Sequence, residues 1–359
     1  MKTQERSSEI FPFCQLKGSH YEIGLQHGEA FRDLIKKHLK LALDRITSKL
    51  DVSYEEIMDA VIKYRPYVLE HAKFLDEEIT GIAEAANITL AEAYFLQLRA
   101  EVYRDLEEND ECTTFAVLPE ATKDGVPLVG QNADLPELYS EIGVIVEIIP
   151  ENGSSVLMLT PAGQVSYIGI NDKGLGVFAN FLKCDGWRVG FPRYMLSRLA
   201  LQYDSVDKAI AAVRSVPRAS SRNLIMLDSK GNAVDLETTP TRDYPIKAEN
   251  GLLAHANHYV ADELLEEERA TDRYLENTHA RFKRMTELLS NHHGDLDANT
   301  MMSILRDRET YPHALCREVT DGRSDTITFA SVIAQPSKGS IWVAMGPPNK
   351  YEYKCFTFC

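Results

Sequence analysis

The chain has 359 residues, 44% hydrophobic and 26% charged, enough for a sizeable core and more than one typical domain of about 150 residues. Asp and Glu outnumber Lys and Arg by 54 to 39, a formal net charge of −15 with no basic cluster, which argues against nucleic acid as a partner. The opening MKTQERSSEIFPFC lacks an apolar leader core, and no segment approaches the roughly 18 apolar residues of a membrane span, so a cytoplasmic protein with no membrane partner is expected.

From Glu29 the apolar residues Phe31, Ile35, Leu39, Ala42, Ile46 and Leu50 recur at three or four, the stripe of an amphipathic helix. A second helix is predicted from Ser53, which forms a capping-box spacing with Glu56, and is broken before Pro66. A third is expected from about Tyr67 through Ala85. A fourth repeats the capping signal at Thr89 and Glu92 and turns Tyr94, Phe95, Leu98 and Val102 towards a core. The run RDLEENDE, Arg104 to Glu111, carries five acids and one Leu, and is expected to be an exposed linker.

After it the pattern changes to short runs rich in Val, Ile, Thr and aromatics, punctuated by Gly, Pro, Asn and Asp: CTTFAVLP, GVPLVGQN, GVIVEIIP, SVLMLTP, VSYIGIN and LGVFANF. Two helical runs follow near Tyr194 to Val213, then strand runs NLIMLDS, AVDLETT and GLLAHAN. A long helix over about Glu266 to Leu289 has the charge density of a solvated face, and a shorter one covers Asn299 to Arg308. Strands close the chain in TITFASVIAQ, SIWVAMGP and YEYKCFTF. Strands in runs, without βαβα alternation, predict an α+β fold with antiparallel sheets. NDKGLG at Asn171 to Gly176 lies between two strand runs and opens no helix, so it is a hairpin turn and not a nucleotide loop.

Six cysteines, at 14, 112, 184, 316, 355 and 359, form neither a disulfide framework nor a metal pattern. Cys112 stands out by context. It follows the acidic run and opens a strand, and the turn signal Asp124-Gly125 brings the next strand back so that Cys112 lies opposite about Asp134. A cut between Glu111 and Cys112 would give one residue both a thiol and an α-amine, with reference pKa values of about 8.5 and about 7.7 to 8.0. Nucleophile and base then share a residue, and no catalytic histidine is required. Attack on an amide creates an oxyanion, for which Asn257 in LLAHANHYV offers a neutral side-chain donor. His255 and His258 flank it, and an isolated HxxH pair without further ligands is weak evidence for zinc.

Several separated motifs occur together in order: GSHYEIGLQHG with Gly18, Glu22, Gly24, His27 and Gly28; LRAE at Leu98 to Glu101; CTT at Cys112; GQNAD ending at Asp134; HANH around Asn257; and YPHALCR, Tyr311 to Arg317. In this set the chain resembles the acyl-coenzyme A:6-aminopenicillanic acid acyltransferase (isopenicillin N acyltransferase) family of Ntn hydrolases. The resemblance implies a four-layer αββα sandwich, with a largely helical segment 1–111 released by self-cleavage from a catalytic segment 112–359. It implies Cys112 as the nucleophile, Asp134 as a group orienting it, Asn257 as oxyanion donor, and Arg317 as a partner of Asp134 or of a substrate carboxylate. Glu111 stands where the penicillin-forming enzyme has glycine, which leaves an uncut form open. His27, ahead of the first helix, is expected to be a structural hydrogen-bonder.

The expected activity is a self-processing amidohydrolase that opens a linear N-acyl amide through a thioester. Transfer of the acyl group from acyl-CoA or an amide to a small amine stays open beside it, as does a non-catalytic ligand- or metal-binding protein on the same fold. No cofactor or metal is expected, acyl-CoA being a candidate co-substrate only. Pocket walls are expected near Tyr167 and Asn180. The partners expected are a small N-acyl amide and the chain's own two fragments as a heterodimer, with higher oligomers open.

Overall fold

The computed structural model describes residues 6–98, 101–102, 111–319 and 325–359, so most of the expected acidic linker, 104–110, lies outside the described residues. The N-terminal part is helical after one strand. β1 (Phe13–Gly18) leads into α1 (His20–Ala30), α2 (Arg32–Thr47), α3 (Tyr54–Ile62), α4 (Arg65–His71), α5 (Lys73–Ala86) and α6 (Leu90–Gln97). Ser19, Ser53 and Thr89 each cap a helix, with Glu22, Glu56 and Glu92 returning the bond to the cap backbone.

β1 and α1 go beyond the sequence reading, and His27 lies within α1 rather than ahead of a helix. Two glycines weaken α1 as a helical signal, at about 1 kcal/mol each relative to alanine. Packing explains them. α1 crosses α5 so closely that a Cβ on Gly24 would stand 2.1 Å from the Glu78 carbonyl oxygen, and one on Gly81 would stand 2.4 Å from that of Tyr21. The helix expected from Tyr67 to Ala85 is two helices, broken at Ala72, whose φ −154 and ψ 57 leave the helical region.

The remainder of the chain opens with β2 (Glu111–Val117), β3 (Leu128–Pro136), β4 (Gly143–Pro150), β5 (Val156–Pro161), β6 (Ile168–Asn171) and β7 (Gly176–Asn180). α7 (Met195–Ala200) and α8 (Val206–Arg214) precede β8 (Arg222–Leu227), β9 (Ala233–Thr238), β10 (Asp243–Lys247) and β11 (Leu252–His255). α9 (Asp272–Asn291), α10 (Ala298–Leu305), β12 (Thr326–Gln335), β13 (Ser340–Met345) and β14 (Lys354–Thr357) complete the order. NDKGLG turns β6 into β7, with Gly174 at φ 83 and the Asn171 side chain accepting from the Lys173 and Leu175 amides.

One sheet runs β1-β4-β5-β6-β7-β8-β9-β10 and the other β11-β2-β3-β12-β13-β14. Every named pairing is antiparallel except β1 with β4. Side-chain alternation assigns the layers. Val144, Val146, Met158, Val177, Leu224 and Met226 of the first sheet pack with α1–α8. Ile145, Leu157, Leu159, Phe178 and Ile225 on its other face meet Ala116, Val129, Ala133, Leu135 and Val332 of the second sheet. Phe115, Val117, Leu128 and Ile333 on the far side of that sheet pack with Met285, Leu289, Met301 and Ile304 of α9 and α10. The result is an αββα sandwich of four layers, and β3 is buried along its whole length although it carries Gln131, Asn132 and Asp134. No helix among the described residues is long and apolar enough to cross a membrane.

Candidate active site

Cys112 is the second residue of β2 and is buried, 4% exposed. Its neighbours on the same face of the strand are Thr114, which donates to Asn180 Oδ1 at 2.6 Å, and Ala116 in the core between the sheets. Cys112 therefore faces the first sheet, where it lines a small cavity with Leu135, Tyr167, Asn180, Phe181 and Tyr194. The cavity has room for about one water molecule. Tyr167 and Asn180, the two residues expected at its walls, both line it.

Two arginines complete the lining, Arg193 and Arg222, 1% and 3% exposed. The Arg193 guanidinium lies over Phe181, Tyr194 and Trp187 at 4.6, 4.9 and 5.6 Å from the ring centroids, and that of Arg222 lies 4.6 Å from Tyr194.

The backbone of Cys112 is held from several sides. Its N–H donates to Asn257 Oδ1 at 2.6 Å, and its carbonyl accepts from Asn180 Nδ2 at 3.0 Å and from Arg281 Nη1 at 2.6 Å. Arg281 also donates to Thr113 Oγ1, to Asn257 Oδ1 and to Asn277 Oδ1. Asn257 thus presents its oxygen, not its NH2, to the Cys112 nitrogen, because two donors converge on that oxygen. Its Nδ2 donates to the Phe181 carbonyl at 3.0 Å.

Asn257 follows β11 in a segment fixed at both flanks. The Asn257 amide donates to Thr278 Oγ1 at 2.6 Å, the ring of His258 meets the same hydroxyl at 3.0 Å, and His255 Nε2 lies 2.9 Å from Glu237 Oε1. Burial disfavours the charge on His255, but the carboxylates of Asp235 and Glu237 outweigh it and bring its pKa to about 9, while burial brings that of His258 down to about 2. The two histidines brace the Asn257 segment. Among the described residues no three His, Cys, Asp or Glu side chains come together as a metal site.

Asp134 takes a different place from the one expected. Cys112 pairs with Ala133, and Asp134 pairs with Glu111, one residue off the expected register. Since side chains alternate, that single step turns Asp134 to the opposite face of the sheet, away from the thiol and towards α9 and α10. There Thr328 donates to its Oδ1 at 2.6 Å, Oδ2 has no hydrogen-bond partner among the described residues, and Arg281 supplies the facing charge. Burial raises the Asp134 carboxyl to about 7 against the pull of Arg281 and Thr328.

Arg317 meets this group through its backbone, whose N–H bonds the Thr328 hydroxyl at 2.9 Å. Burial lowers its pKa to about 10. The cation that faces Asp134 is Arg281, which sequence reasoning passed over by treating its helix as a solvated face. The available signal was position: Arg281 shares a helical stripe with Tyr274, Thr278, Met285 and Leu289, all buried. His27 accepts from the Gly163 amide at 3.0 Å and burial holds its pKa near about 4, so it is a neutral structural hydrogen-bonder.

A model of the family described as acyl-coenzyme A:6-aminopenicillanic acid acyl-transferase matches residues 121–350 of the chain, a span that includes Asp134, Asn257, Arg281 and Arg317. The chain belongs to this family. A relative from Emericella nidulans, the acyl-coenzyme A:6-aminopenicillanic-acid-acyltransferase 40 kDa form, is 28% identical over 94% of this chain and 92% of its own length. Among solved structures, conjugated bile acid hydrolase from Clostridium perfringens aligns with a TM-score of 0.49 and 16% identity, covering 69% of this chain and 97% of its own. Penicillin V acylase from Agrobacterium tumefaciens aligns with a TM-score of 0.43 and 11% identity, covering 65% of this chain and 83% of its own. Membership of the acyl-transferase family makes the chain an enzyme of acyl-group chemistry.

Proposed function

We propose that the protein is a self-processing N-terminal-cysteine amidohydrolase that cleaves a linear N-acyl amide. The observation that carries this reading is the setting of Cys112. Its backbone nitrogen is 2.6 Å from Asn257 Oδ1 while its side chain lines a buried cavity, so a cut before it would leave an α-amine already held beside a thiol.

In the processing step Sγ of Cys112 attacks the Glu111 carbonyl carbon, the C–N bond to Cys112 breaks, and the nitrogen takes a proton and becomes the α-amine. Water then hydrolyses the thioester and leaves a carboxylate at Glu111. Until that happens the peptide bond to Cys112 would occupy the reacting position, in keeping with so small a cavity. In turnover the amine takes the thiol proton as sulfur attacks the substrate carbonyl, the substrate's amine departs with that proton, and water releases the acid from the thioester.

Asn257 holds the nitrogen through its oxygen, and the second N–H of its amide group remains for the oxyanion. Arg281 fixes the Cys112 carbonyl and Asn257 together, and Asp134 and Arg317 act on the nucleophile through Arg281 and Thr328. Segments 1–111 and 112–359 would stay together as a heterodimer.

The family's description, which names an acyl-coenzyme A donor, supports a second reading in which an amine receives the acyl group in place of water. Purified protein is given an N-acyl amide with and without added amine. Free acid released without amine is expected, and product formed only when amine is present rules out the hydrolase reading.

A further inference from the structure

Three other buried arginines among the described residues have strong oxygen partners. Arg198 bonds Glu78 at 2.5 Å, Arg218 donates to the carbonyls of Thr239 and Arg242, and Arg281 is bonded as described. Arg222 differs. It opens β8 with its backbone tied to Thr238, but its guanidinium has no hydrogen-bond or ion-pair partner among the described residues, and its Nε is buried without one. Its guanidinium lies against the face of Tyr194, and the second cation lining the cavity, Arg193, opposes its charge. A ring face offsets only part of what it costs to bury an ion away from water.

A buried guanidinium left in this state calls for an anion, and the cavity it lines is the one that contains Cys112. We propose that Arg222 anchors a carboxylate carried by the substrate, so that the amide opened at Cys112 belongs to an anionic molecule. This inference rests on the reading of Cys112 as the nucleophile. The planar fork of the guanidinium suits the two oxygens of a carboxylate, and the aromatic walls Tyr167, Phe181 and Tyr194 suit an apolar linker between that carboxylate and the scissile bond. The carboxylate has two possible positions, on the acyl part as in the monoamide of a dicarboxylic acid, or on the amine part as in an N-acylated amino acid.

The test uses the full-length protein with glutaryl and adipoyl para-nitroanilides against the uncharged valeryl para-nitroanilide, and N-acetyl amino acids against their carboxamides. The charged member of one series is expected to be preferred, and which series shows the preference identifies the side on which the carboxylate sits. Arg222→Gln is expected to lower kcat/KM for the charged substrate on the order of a hundredfold and to leave the uncharged one nearly unchanged, with Arg222→Lys recovering part of the loss. An equal fall for both substrates would instead make Arg222 a partner of the Cys112 thiolate and overturn the proposal.

If Arg222→Gln does not fold, wild-type protein still decides. Glutarate should inhibit where the uncharged valeramide does not, and equal inhibition overturns the anion site. If no anilide or N-acetyl amino acid is hydrolysed, the amidase reading fails by itself. Calorimetry with glutarate on the processed wild-type protein then judges Arg222 separately, and the absence of any binding overturns the anchor.

Discussion

Arg281 ties together the backbone carbonyl of Cys112, the side chain of Asn257 and the charge of Asp134 from inside the apolar stripe of α9. Its partners on the sequence side were legible as chemical types: a cysteine opening a strand, and an asparagine closing one. Arg281, Arg193 and Arg222 were not, because a buried cation looks in sequence like any other charge on a helix or strand, and only burial gives it a meaning.

Asp134 lies between these cases. Its carboxyl is raised to about 7 by burial, so the protonated group contributes stability that is complete below the ordinary aspartate range of about 4 and is lost as pH rises through about 7. Asp134→Asn removes that loss. Denaturant unfolding at a series of pH values should find wild type losing ground to the variant, by up to roughly 1.4 kcal/mol per pH unit, between about pH 4 and 7 and no further above it. A constant difference across that range would mean that Asp134 is ionised throughout.

Elements with their own local signal were read with little error. Ser53 with Glu56, and Thr89 with Glu92, announced helix starts because the reciprocal bonds are local, and β4, β5 and β12 announced themselves as apolar runs between turn residues. The errors fall where a distant element decides. α1 contains glycines because α5 presses on it, and the hairpin of β2 and β3 slipped by one residue because its long connection does not pin the register. Gly24→Ala tests the first point. Its new Cβ would be 2.1 Å from backbone that cannot swing aside, so the gain in helix propensity is overridden and unfolding should show a loss of about 1 to 3 kcal/mol. A variant as stable as wild type would refute the close crossing of α1 and α5.

Across the whole molecule the class of fold was legible, since helices first and strands in runs leave few layer arrangements open. The strand order was not, because it depends on pairings between strands distant in sequence, such as β11 against β2 and parallel β1 against β4. Those pairings bear on processing. β1 and α1–α6 lie before the proposed cut yet share a core with β4, β5, β7 and β8 after it, so the two fragments would remain associated until the protein is denatured.

The account's central claim is that the bond between Glu111 and Cys112 is opened by Cys112 itself. Mass spectrometry of the purified, denatured protein addresses it most directly. Wild type should give two fragments, one ending at Glu111 and one beginning at Cys112, while Cys112→Ala should give only the 40.4 kDa chain and no amide cleavage. A wild-type chain intact under every condition, together with undiminished amide cleavage by Cys112→Ala, would contradict it.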